Sequence, residues 1–297
     1  MRSIKTLSAA SPLYEILPNG AIKVARECPN ILADYKREGI PDYLAAVDHS
    51  LKITDKKEFK RHLKKQQKRF NKYVRQMKEL GLYLVIALQG RDSAGKTGTV
   101  DCLNDALYKD AKIFKSVPMG PPTQEELAHP YLWRMGKYDF MPEFGQVRVF
   151  DRSWQERLLV EKVMNLTPQY KIEDSYAELR HFEWGLVRHG GILIKLWLDI
   201  TYDEQGDRYK DREKKKPGKK SPSDDIARAH WDEYTPAANE MFHRNGTAEI
   251  PQYVVSSEDK DYCHITVLEL ITHEMKKRIK AAKQAKKRAE KKSSKKK

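Results

Sequence analysis

The chain has 297 residues, and its 57 Lys and Arg exceed its 42 Asp and Glu to give a net charge of +15. That length suits one large α/β domain or two small ones. The three cysteines form no C-x-x-C motif, which argues against a disulfide-stapled secreted scaffold. The apolar runs are strand-sized, too short to cross a membrane. We therefore expect a cytoplasmic protein with no membrane association.

The N-terminal third of the chain contains an irregular segment followed by a helix. Residues 1–53 show little periodicity and contain several prolines, which predicts an irregular N-terminal arm. In the next segment, TDKKEFKRHLKKQQKRFNKYVRQMKEL, Asp55 and Glu58 have capping-box spacing, and apolar residues recur at helical intervals. We expect an amphipathic helix here, with its lysine-rich face solvated.

Strand-like and helix-like segments then alternate. Apolar runs predict five strands, which are LYLVIAL, AKIFKSV, QVRVF, ILIKLWLDI and QYVV in chain order. Helical segments lie between them, and the one that contains EELAHPYLWR is expected to break or bend at Pro130. This alternation predicts an α/β fold in which a parallel five-stranded sheet lies between helices, in one domain over residues 54–275.

The C-terminus carries most of the net charge. Residues 276–297 contain 13 Lys and Arg and one Glu, which leaves 44 basic and 41 acidic residues in the rest of the chain. Charge runs of this kind are usually solvated, so a solubilising basic tail or a frayed helix is the first interpretation. Contact with a polyanion is the alternative.

A phosphate-binding loop follows the first of these five strands. QGRDSAGKTGTV matches G-x-x-x-x-G-K-[ST], and the match lies between a predicted strand and a predicted helix, as the motif requires. We expect backbone N–H groups of residues 91–96 to converge on phosphate oxygens at the helix N-terminus. A glycine turn that binds nothing is the alternative. The expected phosphate-binding residues are Gly90, Arg91, Ser93, Ala94, Gly95, Lys96 and Thr97.

Two aspartates are candidates for metal binding. Asp151 ends the strand VRVF, where a carboxylate helps to hold Mg²⁺ in P-loop phosphotransferases. Capping of the following helix is the alternative for this residue. Asp92 lies inside the anion-binding loop and repels a phosphate unless a cation intervenes. It therefore indicates either a bridging Mg²⁺ or a base directed at an acceptor phosphate, with a loop-stabilising hydrogen bond as the alternative.

Three arginines are candidates for stabilising a transferring phosphoryl group. Arg152 follows Asp151 directly, and Arg208 and Arg212 are four residues apart on one predicted helical face. Ion pairing at the surface is the competing interpretation for the last two. The partners for such pairing are Glu204, Asp207 and Asp211.

Five motifs together resemble one family. In chain order they are GRDSAGKTGT, EELAHPYLWR, VFDRSWQERLLVEKV, ILIKLWLDI with DEQ and a following Arg, and WDEYTPAANEMFHR. Their sequences and their order resemble those of the polyphosphate kinase 2 family. The resemblance covers about residues 55–275. It implies a three-layer P-loop kinase fold of the thymidylate-kinase type, with a helical lid at about 203–230. It also implies Mg²⁺-dependent transfer of phosphate between inorganic polyphosphate and nucleotides, by a homodimer or homotetramer.

The same resemblance assigns roles by position. Asp92 and Asp151 match the aspartates that hold metal and activate the acceptor phosphate. Lys96 and Arg152 match phosphate-binding residues. Arg208 and Arg212 match arginines of the lid helix.

The chain also departs from the family pattern. Thr97 stands where the family usually has Gly, and Gln155 replaces the usual Tyr after DRSW. The stretch KKKPGKKSPSDD replaces the usual lid tip. HPYLWR and LLVEKV resemble members that phosphorylate AMP, while ADP, GMP and GDP remain possible acceptors. Two other functions stay open, an ATP-dependent nucleoside monophosphate kinase and a nucleic-acid-binding P-loop protein.

Overall fold

Seven strands form one sheet in the computed structural model, which describes residues 14–26, 39–137, 139–215 and 222–294. The strands are β1 (Glu15–Ile16), β2 (Ile22–Val24), β3 (Tyr83–Gly90), β4 (Phe114–Pro118), β5 (Val147–Asp151), β6 (Gly191–Asp199) and β7 (Gln252–Ser256). Their order in the sheet is β1-β2-β7-β6-β3-β5-β4. The five strands from β3 to β7 are parallel, whereas β1 and β2 are antiparallel to their neighbours.

The prediction of an α/β fold with a mainly parallel sheet is confirmed, but the count of five strands is wrong. Part of the N-terminal segment expected to be irregular forms β1 and β2, and β2 pairs with β7 through Ile22 opposite Val254. Ile22 and Val24 are fully buried. Strands of two and three residues are too short to show a period of two, so their pairing is visible only in three dimensions.

Nine α-helices surround the sheet within the described ranges. They are α1 (Lys56–Met77), α2 (Lys96–Ala106), α3 (Gln124–Leu127), α4 (Val160–Val163), α5 (Gln169–Arg188), α6 (Tyr202–Lys215), α7 (Pro222–Ala229), α8 (Trp231–Asn245) and α9 (Lys260–Ser294). The helix expected around EELAHPYLWR is α3 followed by a 3₁₀ turn (Tyr131–Gly136), so the predicted break at Pro130 is confirmed.

Two apolar cores lie on opposite faces of the sheet. Leu84, Ile86 and Leu88 of β3 pack into the core under α1, α2 and α9. Val85 and Ala87 pack into the core under α5 and α8. Because successive side chains of a strand point to opposite faces, a strand buried on both sides must be apolar throughout. The uninterrupted run LYLVIAL meets this requirement and places the end of β3 at the centre of the fold.

The basic C-terminal segment is not separate from the preceding helix. α9 continues through residue 276 to Ser294, and Ile279 is packed into the core with 4% exposure. No Gly or Pro interrupts the helix, which explains why it does not stop at the expected boundary. From residue 283 onward every described side chain is exposed. Among the described helices, none is both long and apolar enough to cross a bilayer.

Candidate active site

The phosphate-binding loop joins β3 to α2 through two glycines that no other residue can replace without strain. Gly90 has a φ of 152°, and a Cβ added to it would lie 2.4 Å from the carbonyl oxygen of Leu198 on β6. Gly95 has a φ of 92° and is the N-cap of α2. These conformations are readily available only to glycine. They allow the chain to turn sharply from the central strand into the helix.

Two of the backbone N–H groups expected to face phosphate are bonded within the protein. The N–H of Arg91 donates to Leu198 O at 3.1 Å, and the N–H of Ala94 donates to Arg91 O at 3.2 Å. The expectation that all N–H groups of residues 91–96 converge on a ligand is therefore corrected at these two positions. The first extends the β3–β6 ladder, and the second closes a tight turn inside the loop.

The Arg91 side chain points away from the loop. Its Nε lies 3.3 Å from an Asp199 carboxylate oxygen, and a terminal nitrogen donates to Thr235 Oγ1 at 2.7 Å. The guanidinium carbon lies 3.8 Å from the centre of the Trp231 ring. These contacts attach the loop to β6 and α8. The side chain lines a smaller cavity beside the loop together with Lys96, and its role as a phosphate ligand stays a prediction.

Lys96 lies across the loop. Its ammonium donates to the carbonyl oxygens of Gly90 at 3.1 Å and Arg91 at 3.0 Å. Burial lowers the pKa of Lys96 and the Asp92 carboxylate opposes that shift. A desolvated ammonium held by two neutral carbonyls gains strongly when a phosphate oxygen approaches. The lysine is therefore placed to exchange these bonds for a ligand.

One cleft collects the predicted site residues. It has a volume of about 590 Å³. All the residues expected to be catalytic line it, namely Asp92, Lys96, Asp151, Arg152, Arg208 and Arg212. Ser93, Gly95 and Thr97 of the loop line it as well. Asp211, considered above only as an ion-pair partner, and Lys215 and Lys260, which the sequence did not indicate, complete the lining. Residues from the loop, the end of β5, α6 and the start of α9 thus share one space.

The two aspartates present oxygen atoms to this cleft. Asp151 ends β5, and Asp92 accepts a 2.7 Å hydrogen bond from the Tyr209 hydroxyl of α6. Within the described residues no group of three or more His, Cys, Asp or Glu side chains could hold a metal by itself. Mg²⁺ commonly takes one or two carboxylates and completes its shell with water and substrate phosphates. Asp92 and Asp151, with the Thr97 hydroxyl, fit that kind of binding.

Arg208 braces the loop rather than pointing freely into the cleft. It donates to Ser93 O at 2.9 Å, to Ser257 O at 2.5 Å and to Glu258 O at 3.0 Å. Its Nε is 2.6 Å from Glu204, so one of the ion pairs considered as an alternative is present. The side chain is only 9% exposed. Arg208 thus fixes α6 against the loop and the end of β7.

Arg212 and Arg152 occupy other parts of the cleft wall. The guanidinium of Arg212 lies 4.9 Å from the centre of the Tyr209 ring, whose hydroxyl bonds to Asp92. Arg152 has a φ of 60°, an uncommon backbone conformation for a residue with a side chain. Such strain is frequent where a side chain must be aimed at a site. Both arginines remain candidates for phosphate contacts.

A second, smaller cavity of about 150 Å³ lies behind Lys96. Glu156, Trp231 and Tyr234 contribute to its wall, and Asp92, Lys96 and Arg152 line both cavities. Burial raises the pKa of Glu156, and the charges of Arg152 and Lys96 oppose the rise. The cavity combines aromatic rings with charged groups directly beside the loop.

Sequence reasoning missed part of α6. Gln205 donates to the Asp92 carbonyl oxygen at 3.1 Å, and Tyr209 bonds to the Asp92 carboxylate. Together with Arg208 and Arg212, these residues have the spacing i, i+3, i+4, i+7 of a single helical face. That spacing was a usable signal, and it identifies the face of α6 that contacts the loop.

Comparisons with known proteins agree with this geometry. The chain is 35% identical over 219 residues to a polyphosphate:AMP phosphotransferase of Pseudomonas aeruginosa. The aligned region covers 73% of this chain and 43% of that protein. It is 36% identical over 179 residues to NDP-polyphosphate phosphotransferase 1 of Ruegeria pomeroyi, or 60% of this chain and 57% of the relative. The chain thus spans about half the length of these curated relatives.

A solved structure and a family model point the same way. The crystal structure of polyphosphate kinase 2 from Arthrobacter aurescens TC1 superposes with a TM-score of 0.69 at 31% identity, over 82% of this chain and 85% of that one. The model of the family described as polyphosphate kinase 2 matches residues 53–284. That match contains β3 to β7, the phosphate-binding loop and every residue predicted to be catalytic. The chain therefore belongs to the polyphosphate kinase 2 family.

Proposed function

We propose that this chain is a polyphosphate:nucleotide phosphotransferase with a P-loop kinase fold of the thymidylate-kinase type. It would move phosphate between inorganic polyphosphate and a nucleoside mono- or diphosphate. One observation carries the proposal: a single cleft contains the loop lysine, two aspartates and three arginines, all predicted independently of the fold. Phosphoryl transfer depends mainly on positioning and charge neutralisation, which such a set supplies.

The chemistry assigns a task to each group. An oxygen of the acceptor's terminal phosphate attacks the terminal phosphorus of polyphosphate, and the bond from that phosphorus to the next bridging oxygen breaks. The shortened polyphosphate leaves with that oxygen. Lys96 and Arg152 would hold non-bridging oxygens of the transferring group, and Arg212 would contact the chain from α6. These cations offset the charge that is spread over the oxygens during transfer.

Mg²⁺ is the cation that Asp92 and Asp151 would hold. When bound, it neutralises charge on the phosphates of both substrates. Asp92 has a second task, because its carboxylate is kept in place by Tyr209 and faces the same cleft. It would orient the attacking phosphate and prevent that phosphate from binding where the transferring group belongs.

The acceptor is proposed from the relatives. The names of these relatives contain AMP, ADP or an unspecified nucleoside diphosphate as the nucleotide. A relative from Corynebacterium glutamicum is named as a GDP-polyphosphate phosphotransferase. We propose AMP as the first acceptor to test, since HPYLWR and LLVEKV resemble the AMP-phosphorylating members. The homo-oligomeric state and the cytoplasmic location stay predictions.

The test is a set of parallel incubations of the full chain with Mg²⁺, one of AMP, ADP, GMP or GDP, and either long-chain polyphosphate or ATP as the phosphate donor. Nucleic-acid binding is measured alongside. Formation of the next higher nucleotide, lost in Lys96→Ala and Asp151→Asn but kept in the surface control Lys112→Ala, supports the proposal. Transfer to AMP from ATP but never from polyphosphate would assign the chain to ATP-dependent nucleoside monophosphate kinases. Absence of transfer in every mixture, with retained nucleic-acid binding, would favour the third function considered above.

A further inference from the structure

The net positive charge of this protein comes from two segments that are far apart in sequence. Residues 56–77, which form α1, contain ten Lys and Arg and one Glu, and residues 276–297 contain 13 and one. The rest of the chain then has 34 basic and 40 acidic residues. Outside these two segments the protein is net negative. The excess of basic residues therefore belongs to α1 and to residues 276–297, of which 276–294 lie in α9.

The fold places these segments side by side. Going along α1, Lys56 bonds to Asp261 at 2.7 Å and His62 to Glu269 at 3.0 Å. Near the other end of α1, Gln76 accepts from Lys283 at 2.7 Å. Residue numbers rise together in both helices, so α1 and α9 are parallel neighbours. The start of the basic C-terminal segment thus lies beside the last turns of α1.

The basic side chains of the two helices point outward. One face of α1 is buried in the protein and carries Phe59, Phe70 and Val74. The buried face of α9 carries Ile279. The remaining face of α1 is a nearly uninterrupted set of exposed Lys and Arg. We call the exposed Lys and Arg of residues 56–75 and 276–292 the basic ridge. Within residues 56–75 and 276–292 the acidic residues are Glu58 and Glu290, and Glu269 and Glu274 lie beside the ridge on α9.

The basic ridge starts next to the candidate active site, although none of its residues lines the cleft. Lys260, the first residue of α9, lines the cleft, and the next residue, Asp261, is bonded to Lys56, the first residue of α1. From there α9 extends over 35 residues, a length of about 52 Å at the usual rise. A polymer whose end lies in the cleft can therefore leave along the ridge.

Charge and side-chain type identify the partner. Lysines four residues apart on one helix repel each other, so the ridge gains most from a ligand with closely and regularly spaced negative charges. Polyphosphate has about one charge per phosphate and no bases. The large exposed hydrophobic side chains of the described residues all lie outside α1 and α9, so the ridge offers no exposed aromatic ring for base stacking.

We propose that the basic ridge binds the distal part of the polyphosphate chain whose terminal phosphate lies in the cleft. This inference rests on the proposed function, since that function puts polyphosphate into the cleft. In this proposal the ridge binds the substrate and takes no part in phosphoryl transfer. The ridge would raise the affinity for long chains, while a chain too short to reach it would bind through the cleft alone.

The experiment compares two triple variants with equal loss of charge. The ridge variant is Lys60→Gln, Lys64→Gln and Lys68→Gln, and the control carries Lys52→Gln, Lys112→Gln and Lys171→Gln, all exposed and outside the ridge. KM and kcat are measured with tripolyphosphate and with long-chain polyphosphate at several salt concentrations. For the ridge variant we expect KM to rise roughly tenfold with the long chain only, with unchanged kcat. The slope of log KM against log salt should fall by about two.

Binding of long-chain polyphosphate without a nucleotide is measured in parallel. If the ridge variant loses affinity while the unaltered protein binds polyphosphate but transfers nothing, the ridge stands and the proposed function fails. If KM changes equally for both chain lengths, or equally in the two triple variants, the ridge proposal is overturned. Tighter binding of duplex DNA than of polyphosphate at the same salt, lost in the ridge variant, would overturn it in favour of nucleic acid.

Discussion

The Tyr209 hydroxyl donates a 2.7 Å hydrogen bond to the Asp92 carboxylate, and this bond joins α6 to the phosphate-binding loop. Gln205 adds a bond to the carbonyl oxygen of the same aspartate. Asp92 is thereby held at its side chain and at its backbone by one helix. In its proposed role Asp92 must orient a phosphate while repelling it, and these two bonds would hold it in place against that repulsion.

Tyr209→Phe tests this relationship. The change removes one hydrogen bond to a carboxylate and keeps the ring on which Arg212 lies. We expect kcat to fall about tenfold and the melting temperature to fall by only a few degrees, since a hydrogen bond to a charged group contributes about 1.5–3 kcal/mol. Tyr202→Phe, on the same helix but half exposed, is the matched control. Equal kinetics of the two variants would show that the Tyr209–Asp92 bond has no part in turnover.

Arg208→Ala should mainly lower stability, whereas Arg212→Ala should mainly lower activity. Arg208 donates to three backbone carbonyls, so its loss leaves partly buried acceptors without this partner and should lower the free energy of unfolding by about 2–3 kcal/mol. Arg212→Ala should leave stability nearly unchanged and lower kcat/KM by a factor on the order of 10². Urea unfolding and steady-state kinetics on both variants measure this. A normal unfolding midpoint for Arg208→Ala contradicts its role as a brace.

Asp92→Asn should separate binding from turnover. Removing one negative charge from the loop should preserve or tighten polyphosphate binding. Turnover should fall by a factor on the order of 10² or more, as expected when metal or acid–base assistance is lost. The dissociation constant for polyphosphate and the single-turnover rate are measured on the same preparation. Unchanged turnover would indicate that the residue only stabilises the loop.

His243 gives stability a defined dependence on pH. It is 3% exposed and its Nδ1 lies 2.8 Å from the Tyr43 hydroxyl. Burial, together with the charges of Arg26 and Arg244, lowers its pKa to about 4. Since the unfolded histidine titrates at about 6.5, the unfolded chain binds the additional proton between these values, and stability decreases as pH falls through this window.

The matching variant is His243→Gln, which can still bond to Tyr43 but does not titrate. The unaltered protein should lose at most about 3 kcal/mol more stability than the variant between pH 6.5 and 4, because one pKa unit corresponds to about 1.4 kcal/mol. Urea unfolding at a series of pH values gives the difference between the two proteins. Parallel curves for both would mean that His243 contributes nothing to the pH dependence.

What the sequence could predict depends on how local the signal is. The loop motif, the apolar strand before it and Asp151 at a strand end are contiguous patterns, and the structure brings them to one cleft. Arg91 shows the limit of this reasoning. It lies inside the motif, but its side chain turns toward Asp199 and Trp231, residues that approach it only through folding.

The long-range pairings were beyond sequence patterns for the same reason. The basic faces of α1 and α9 were each visible as a charge run, and each alone is indistinguishable from a solvated surface. Their adjacency depends on contacts such as Lys283 with Gln76. No periodicity within either helix encodes that contact, so one combined surface became apparent only with the fold.

The two short N-terminal strands also determine how the sheet ends. β2 covers the edge of β7, and β1, with two residues, is the last strand on that side among the residues that the structure describes. On the other side the edge strand β4 ends in Pro118, which has no N–H to offer. An edge that is very short or lacks a donor is a poor template for a strand from another molecule. The sheet therefore terminates on both sides in a way that resists edge-to-edge aggregation, even though its central strands are among the most apolar parts of the chain.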